Sequence, residues 1–555
     1  MAHLKTDVLV VGAGIAGWFA ADKAIQQGAN VVLVDKGYIG KAGQSVIAGH
    51  FSMITPDSGE SADEWVATLA KAGEYLVNQD WLRLVLRDGY DRFCDLQSWG
   101  IQFETNEDGT VKMEGRGFKA ANFLGTGRSP IPFRNTFGFQ ARKHLSEIGV
   151  TLVDRVMIVE PLRQDGRVAG AVGISADTGE EYIIEAKSTV FCTGGCGLKP
   201  AGYPCLVSST GDGEGMAFRM GASLVGKEFV QPMHSSVEMP GILGSRGVPA
   251  DRAIAPQNLR GAVMPREWKL HNGESFPLYG EKTSPYPFAY LDAAFEAHAG
   301  HAPLHSTIGG QPVEIFSGSA LGMSVRKADG IWPADLSCRT EIPGLYAAGD
   351  ALGTMQNGAL YAHSGGSLAG CAVTGAIAGE TAAAEALSID GFHVDESEIA
   401  RAREVTFAPM NRPGGYSPRW VTRLLKDIVT PYYVYLIKKA DRLQAALTMV
   451  EYIQTHLIPR LIARDSHELR LAHETKNMAL SVEVRLRSAL YRTESRGMHY
   501  REDFPRRDDK QWLAWTRVQP SKDGMTLKKV PVPENWRPDP SLTYEERYPY
   551  RFPGE

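Results

Sequence analysis

Residues 6–36 contain the pattern that most constrains the fold of this chain. Their sequence, TDVLVVGAGIAGWFAADKAIQQGANVVLVDK, joins an apolar run of strand length to a G-x-G-x-x-G turn, a helical segment and a second apolar run. In such a unit Gly12 makes the tight turn, Gly14 lets a pyrophosphate approach the backbone, and Gly17 lets the helix pack on the strand. Asp35 ends the second apolar run, where a carboxylate can accept the ribose hydroxyls of an adenosine. The pattern therefore predicts a Rossmann-like βαβ unit that binds a dinucleotide.

Length and composition exclude several classes of function. The 555 residues exceed what one compact core accommodates, so we expect several domains. A net charge of −5 without a long basic stripe gives no electrostatic basis for a nucleic-acid partner. The six cysteines are scattered without C-x-x-C repeats, which argues against a disulfide framework and against iron–sulfur ligation by this chain. The nucleotide strand begins within the first ten residues and no apolar stretch reaches the ~20 residues of a membrane span, so we expect a cytoplasmic protein without a signal peptide or direct membrane insertion.

The segments after the βαβ unit predict a nucleotide domain that is divided by an insertion. Short strands are expected at residues 153–159, 167–174 and 181–184, and another from residue 188 to a pair of glycines. A stretch rich in Pro, Gly, His and Trp then interrupts the pattern, helical periodicity follows further on, and a charged tail after Tyr500 is expected to extend over the surface. We predict an α/β fold with nucleotide-binding parts at 1–232 and 340–395, an inserted α+β capping domain at 233–339, and a C-terminal helical domain with an extended tail at 396–555.

Motifs spread along the chain resemble those of one flavoprotein family. They are CTGG at 192–195, GDGEGMAFRMGA at 211–222, GLYAAGD at 344–350, GGSL at 365–368 and RTESRGMH at 492–499. On these motifs the chain resembles, over nearly its whole length, the flavoprotein subunits of succinate dehydrogenase and fumarate reductase. The resemblance implies an FAD cofactor and a Rossmann-like FAD-binding domain. It places Asp212, Asp350, Ser367 and Leu368 at the cofactor.

The turn and the resemblance together give a set of expected FAD contacts. The set comprises Gly12, Ala13, Gly14, Ile15, Ala16, Gly17, Asp35, Lys36, Gly43, Gln44, Ser45, Val46, Ala48, Gly49, Met157, Thr193, Gly194, Gly195, Asp212, Asp350, Ser367 and Leu368.

Departures from the family motifs affect the expected cofactor linkage and substrate. Respiratory members carry FAD on the histidine of a Ser-His-Thr-Val sequence, and the matching residues 43–46 here are GQSV. Gln44 cannot form that bond, so we expect FAD to be held non-covalently. The family's dicarboxylate contacts are also changed: QPMHS stands at 231–235, and His363 replaces an arginine. Because a buried dicarboxylate needs cationic partners, succinate or fumarate is not expected as the substrate.

The resemblance also supplies the expected catalytic residues. Arg260, in the sequence LRG, matches the segment that carries the family's proton-delivering arginine, although a surface arginine is the equally weighted alternative. His234 and His363 are the next candidates, because each replaces or adjoins a substrate contact of the family. The irregularly spaced His298, His301 and His305 lack acidic or cysteine partners nearby, so no metal site is expected.

Three functions remain open at this point. The first is an FAD-dependent oxidoreductase that transfers two electrons, with hydride at flavin N5, to or from a small organic anion beneath a capping domain that opens and closes as a lid. The second follows from residues 316–367, which look similar to the α subunit of adenylylsulfate reductase, and is a flavoprotein subunit that works with an iron–sulfur, ferredoxin-like partner. The third is a non-catalytic flavin-binding subunit.

Overall fold

The computed structural model describes residues 1–47, 50–114, 119–122, 124, 137–197, 208–229, 231–233, 268–269, 275–276, 304–308, 311–316, 322–324, 329–360, 366–548, 551–552 and 554–555. Its strands, numbered along the chain, are β1 (Ala2–Val11), β2 (Val31–Val34), β3 (His50–Met53), β4 (Met113–Glu114), β5 (Lys119–Asn122), β6 (Thr151–Val153), β7 (Val156–Gln164), β8 (Arg167–Ser175), β9 (Glu181–Phe191), β10 (Leu224–Val225), β11 (Gln231–Met233), β12 (Trp268–Lys269), β13 (Ser275–Phe276), β14 (Leu304–Ile308), β15 (Gln311–Phe316), β16 (Gly322–Ser324), β17 (Gly330–Ile331), β18 (Leu345–Ala347), β19 (Ile437–Lys438), β20 (Tyr500–Arg501), β21 (Ala514–Ser521) and β22 (Gly524–Pro531).

The longer helices are α1 (Ile15–Gln26), α2 (Ala62–Ala72), α3 (Gln79–Ser98), α4 (Phe137–Glu147), α5 (Asp212–Met220), α6 (Gly366–Leu387), α7 (Glu396–Phe407), α8 (Pro418–Val429), α9 (Ala440–Tyr452) and α10 (Ser466–Tyr491). Short helical turns lie at Gln44–Ile47, Pro56–Ser58, Gly349–Ala351, Tyr432–Tyr435, Ile453–Leu457, Ile458–Arg460, Asp509–Trp512, Glu534–Trp536 and Tyr544–Arg547.

A mixed sheet forms the centre of the nucleotide domain. Its order is β6-β2-β1-β9-β8-β7, and β18 also pairs with β9. Strands β6, β2, β1, β9 and β18 are parallel, whereas β8 and β7 run antiparallel at the far side. Strand β2 and the carboxyl-terminal half of β1 are buried runs of Val and Leu, as expected when helices cover both faces of a parallel sheet. This arrangement brings the carboxyl ends of β1, β2 and β9 to one edge, where ligands of such folds bind.

Helix α6 lies directly against α1 because its contact face is made of small residues. A Cβ added at Gly375 would lie 2.3 Å from the carbonyl oxygen of Ala16, and one at Gly379 would lie 2.2 Å from that of Ala20. Larger residues at these two positions would push the helices apart. The close contact fixes α1, whose first turn borders the site described below.

Two expectations about the secondary structure are wrong. The separate strands expected at 181–184 and from 188 are one continuous strand, β9. Its central charges are paired across to β1: Glu185 lies 2.7 Å from Nε2 of His3 and 3.1 Å from Nζ of Lys5, and Lys187 lies 2.9 Å from Asp7. Charged residues in the middle of the run therefore do not interrupt the strand.

The tail after Tyr500 does not simply extend over the surface. Residues 514–531 form the hairpin β21–β22, and β21 pairs with β10 of the nucleotide domain. Trp512 and Trp515 are buried. Arg492 and Arg496, which precede the tail, are buried as well. Arg492 pairs with Glu228 and Glu494, and Arg496 pairs with Glu494, each at 2.8 Å. The tail is thus anchored by a buried ionic network and a hairpin.

Residues 396–491 are mainly helical, as the periodicity predicts. On α8 the side chains of Val421, Leu425 and Val429 recur every fourth residue and are buried in a core that includes Met478 and Val482 of α10. In the predicted capping segment the described residues include an antiparallel sheet of order β13-β12-β14-β15. The proposed lid position of that segment stays a prediction.

Candidate functional site

The glycine turn has the geometry that a dinucleotide requires. Gly12 has φ +101°, and a Cβ there would lie 2.4 Å from the carbonyl oxygen of Cys192, so only glycine fits. A Cβ at Gly17 would lie 1.9 Å from the carbonyl oxygen of Gly12, which explains the third glycine of the motif. Helix α1 begins after Gly14 with no side-chain N-cap and no acid in its first turn. Its N-terminus therefore suits a phosphate. The phosphate oxygens would accept hydrogen bonds from backbone N–H groups, and the positive end of the helix dipole would attract the negative charge.

A cleft of about 340 Å³ lies at the carboxyl ends of the parallel strands. Segments that are distant in the chain meet there, and fourteen of the expected FAD contacts line it: Gly12, Gly14, Ile15, Ala16, Asp35, Lys36, Gly43, Gln44, Ser45, Met157, Thr193, Gly194, Asp212 and Asp350. The combination of a helix N-terminus without an acidic cap, small residues at the turn and a buried acid at the end of β2 fits the phosphates and ribose of FAD.

Asp35 is held by the backbone on both of its oxygens. Oδ2 accepts the N–H of Ala13 and Oδ1 accepts the N–H of Gly37, each at 2.6 Å. Burial raises the pKa of the carboxyl above its ordinary 3.8, although these two hydrogen bonds act in the opposite direction. The carboxylate thus both shapes the turn and borders the cleft, and each oxygen keeps a second lone pair for a hydroxyl donor.

Lys36 connects the nucleotide domain to the C-terminal helices. Its Nζ donates to Thr210 at 2.7 Å, to Oδ2 of Asp212 at 2.7 Å and to Oε1 of Glu474 on α10 at 2.8 Å. Burial opposes ionisation of Asp212, but the charge of Lys36 and several hydrogen bonds outweigh it, so the pKa of Asp212 lies below 3.8. Asn477 of α10 also donates to Asp212 at 2.9 Å. Lys36 therefore keeps Asp212 ionised at the cleft.

Two further segments bring polar groups to the cleft. Gln44 lies in a short helical turn and donates from Nε2 to Oγ of Ser209 at 3.2 Å, and Ser45 accepts the N–H of Ile15 at 3.0 Å. Asp350 follows β18 and is half-buried at the start of a helical turn.

Several expected contacts do not line the cleft. These are Ala13, Gly17, Val46, Gly195, Ser367 and Leu368. Ala13 donates its N–H to Asp35, and Gly17 lies directly against the carbonyl oxygen of Gly12, so both residues fix the turn. Leu368 is 7% exposed and belongs to the hydrophobic core around α1 and α6. Ala48, Gly49 and the three expected catalytic residues, Arg260, His234 and His363, lie outside the described residues.

The sequence reasoning missed several residues that line the cleft. They are Arg155, Ser208, Ser209, Met216, Cys371, His467 and Arg470, among others. Arg155 has φ +57°, an uncommon conformation for a non-glycine residue, and pairs with Asp177. His467 and Arg470 come from α10, more than 400 residues after the glycine turn, and Arg470 contacts Glu474 at 3.0 Å. No local pattern marks these two residues, since only the packing of α10 brings them to the cleft.

The described residues show neither a metal centre nor a membrane span. No group of His, Cys, Asp and Glu in this part of the chain is arranged to hold a metal ion. No helix among the residues placed by the structure has the length and apolar character needed to cross a membrane.

Comparisons with known proteins assign both ends of the chain to flavoproteins. Residues 7–255 match the family described as FAD binding domain, and residues 425–542 match the family described as fumarate reductase flavoprotein C-term. One subunit of the CoM/CoB fumarate reductase of Methanothermobacter marburgensis is 26% identical over 549 residues, covering 90% of this chain and 95% of that protein.

Solved structures with the same fold cover nearly the whole chain. A quinol fumarate reductase chain from E. coli superposes with a TM-score of 0.80 at 21% identity, over 96% of this chain and 97% of that chain. Adenylylsulfate reductase from Archaeoglobus fulgidus superposes with a TM-score of 0.77 at 20% identity, over 97% of both chains. The expected fold class and the FAD cofactor are confirmed.

Proposed function

Because this chain belongs to the succinate dehydrogenase and fumarate reductase flavoprotein family and is an FAD-dependent oxidoreductase, we propose that it transfers two electrons between FAD and a small organic anion. When bound, FAD supplies the hydride chemistry at its N5 atom. The residues of the chain bind and orient it, exclude water and supply protons. The substrate is one that tolerates the altered dicarboxylate contacts, such as an organic anion with an activated C–C bond.

The observation that carries this proposal is the meeting of three separate segments at one cleft. The glycine turn, residues 192–194 and Asp350 follow β1, β9 and β18, which are hydrogen-bonded neighbours in the central sheet. Strand β10 precedes the predicted insertion and pairs with β17 from the later part of the chain, so described residues far apart in the chain are neighbours here. A cofactor in this cleft would be contacted by the glycine turn, by residues 192–194 and by Asp350. A domain that only binds a nucleotide would not need all of these contacts.

Distinct roles follow for the residues at the cleft. The first turn of α1 binds the pyrophosphate, and Asp35 accepts the adenosine ribose hydroxyls. Asp212, kept ionised by Lys36, and Asp350 orient the remainder of the cofactor. Gln44 stands where the respiratory enzymes of the family carry the flavin on histidine, so the FAD is held non-covalently.

The catalytic residues are proposed from the sequence. Arg260 binds the anionic substrate and delivers the proton, while His234 and His363 contribute to substrate binding. Arginine suits the first task because its planar guanidinium holds a carboxylate with two parallel hydrogen bonds.

A second candidate function is a component of an electron-transfer complex. It is favoured by the Methanothermobacter relative, which is one subunit of its enzyme. In this case an iron–sulfur, ferredoxin-like partner would exchange electrons with the FAD, and both proteins would be cytoplasmic. An iron–sulfur protein that co-purifies with the chain would support it.

The binding roles are tested with Asp35→Asn and a matched control. The substitution keeps the side-chain shape but replaces one acceptor oxygen by an NH₂ group that faces a backbone N–H. One hydrogen bond that holds the turn is therefore lost, and the hydrogen bonds to the ribose are weakened. A hydrogen bond to a charged group contributes about 1.5–3 kcal/mol, which predicts about ten- to a hundredfold weaker FAD binding. Asp108→Asn is the control, because Asp108 accepts hydrogen bonds from Thr110 in an exposed turn away from the cleft.

The measurement is the dissociation constant of FAD for refolded or stripped apoprotein, followed by flavin fluorescence. Unchanged affinity in Asp35→Asn, with the same value in Asp108→Asn and the unsubstituted protein, would show that the nucleotide is bound elsewhere. Weakened FAD binding without any turnover of organic anions would instead leave the cofactor site in place and reject the substrate class.

A further inference from the structure

A second cavity lies on the opposite side of α10 from the nucleotide cleft. Its volume is about 270 Å³, and it is lined by the end of α7, residues 458–461 and the first half of α10. Most of its wall is apolar, with Val405, Ala408, Pro409, Ile458, Pro459, Leu461 and Ala472. The polar residues at the cavity are Arg412, His473 and Lys476.

The charge at this cavity is positive and is not balanced by an adjacent carboxylate. Among the described residues, neither Arg412 nor Lys476 forms an ion pair with an acid, and Arg412 donates instead to the carbonyl oxygen of Leu461. Glu160, the acid whose charge acts on Lys476, is already paired with Arg401 at 2.7 Å. Elsewhere on α10 the pattern is the opposite, since Arg470, Arg485 and Arg487 all contact carboxylates.

The neighbouring cations act on the protonation of Lys476, whereas the ring of His473 adds no charge. Burial, together with the nearby guanidinium groups of Arg219 and Arg412, lowers the pKa of Lys476 to about 8. This lysine is therefore mostly protonated at neutral pH but is destabilised by its surroundings, which an anion would relieve. Burial lowers the pKa of His473 to about 4, so its ring is neutral and its Nε2 donates to the carbonyl oxygen of Thr406 at 2.8 Å.

We propose that this cavity, between α7 and α10, is a second binding site, which takes a small organic anion with a carboxylate head and an apolar body. Lys476 and Arg412 bind the carboxylate, and the aliphatic wall contacts the body. The volume is slightly below the ~300–1,000 Å³ of typical ligand pockets, so the ligand is small. A bare inorganic anion would use the cations and leave the apolar wall in contact with water, which makes an organic anion the better occupant.

The site is separate from the nucleotide cleft but shares a helix with it. On α10, Glu474 and Asn477 face the cleft through Lys36 and Asp212, whereas His473 and Lys476 line the second cavity. Neighbouring residues of a helix point to different sides of it. One helix, α10, can therefore line both sites. The assignment does not depend on the substrate proposed above.

The test uses the FAD-loaded protein and benzoate as the probe in isothermal titration calorimetry. We expect one saturable site per chain in addition to any site at the flavin. Lys476→Met should weaken benzoate binding at this site about tenfold or more, because a charge-assisted contact is lost. Ala408→Met should weaken it equally by filling the cavity without a change of charge, since Ala408 is a half-buried lining residue at the end of α7.

Arg423→Gln is the matched control, because Arg423 is 82% exposed on α8 and does not line the cavity. It should leave benzoate binding unchanged, and all three variants should retain their FAD. Benzoate binding that is the same in Lys476→Met and Ala408→Met as in the control would overturn the proposal, as would the absence of saturable binding. Inorganic phosphate that binds as tightly as benzoate would overturn the assignment of an apolar body.

Discussion

Replacement of Lys36 by methionine tests the link between the nucleotide cleft and the C-terminal helices. The Lys36 side chain is 16% exposed, and those of its partners Asp212 and Glu474 are 10% and 4% exposed. Methionine leaves the buried Asp212 without its cation, whereas Glu474 keeps Arg470 at 3.0 Å. Removal of one member of a buried ion pair typically costs about 3–5 kcal/mol, because the remaining charge keeps its desolvation penalty.

That cost can be converted into a shift of the melting temperature. An unfolding entropy of about 2.1 cal/mol/K per residue gives about 1.2 kcal/mol/K for the 555-residue chain, so Lys36→Met should lower the Tm by about 3–4 °C. The matched control is Lys143→Met. Lys143 and its partner Glu147 are 69% and 63% exposed, and an exposed pair of this kind contributes at most about 0.5 kcal/mol, or less than about 0.5 °C.

Differential scanning calorimetry of both variants at neutral pH makes the comparison. Lys36 holds the pKa of Asp212 below 3.8, so this contribution is present above that range and is lost as the pH falls through the lowered pKa. The difference between the wild-type and Lys36→Met melting temperatures should therefore shrink in strong acid. A Lys36→Met protein that melts within 1 °C of Lys143→Met at neutral pH would refute the argument that this cluster is a buried, stabilising junction.

The remaining predictions concern the cofactor, the turn and the second cavity. Acid or heat denaturation should release FAD into the supernatant, because Gln44 offers no attachment atom; yellow precipitated protein would contradict this. Gly12→Ala should abolish FAD binding and destabilise the protein by more than Gly28→Ala, which has a similar φ of +91° but no atom within 4 Å of the added Cβ, so equal effects would reject the steric account. Benzoate affinity at the second cavity should fall above about pH 8 as Lys476, with its pKa of about 8, loses its proton; a flat profile between about pH 7 and 10 would show that the ammonium does not bind the anion.

The parts of the molecule that depend on neighbouring residues could be predicted from the sequence. The glycine turn and β2 lie close to where the pattern places them, because backbone geometry and short-range packing decide them. The nucleotide cleft was predictable to the same extent, since the resemblance adds Asp212 and Asp350 to the local motif. These residues meet at the cleft in the structure.

Features that depend on partners far along the chain were not predictable. Glu185 and Lys187 look like a break in β9 until their partners on β1 are known. The charged tail after Tyr500 looks like a solvated surface until Arg507 is paired with the buried Glu74, 433 residues away. His467 reaches the cleft for the same kind of reason, through the packing of α10. The local sequence around a charged residue is the same whether the residue is exposed or buried beside a counter-charge from a distant part of the chain.

An anaerobic reductive titration of the purified protein tests the central claim most directly. The account predicts one non-covalent FAD per chain that accepts two electrons from dithionite and is reoxidised when a suitable unsaturated organic anion is added under anaerobic conditions. A protein that neither contains FAD nor takes it up on reconstitution, or whose bound FAD cannot be reduced, would contradict the account.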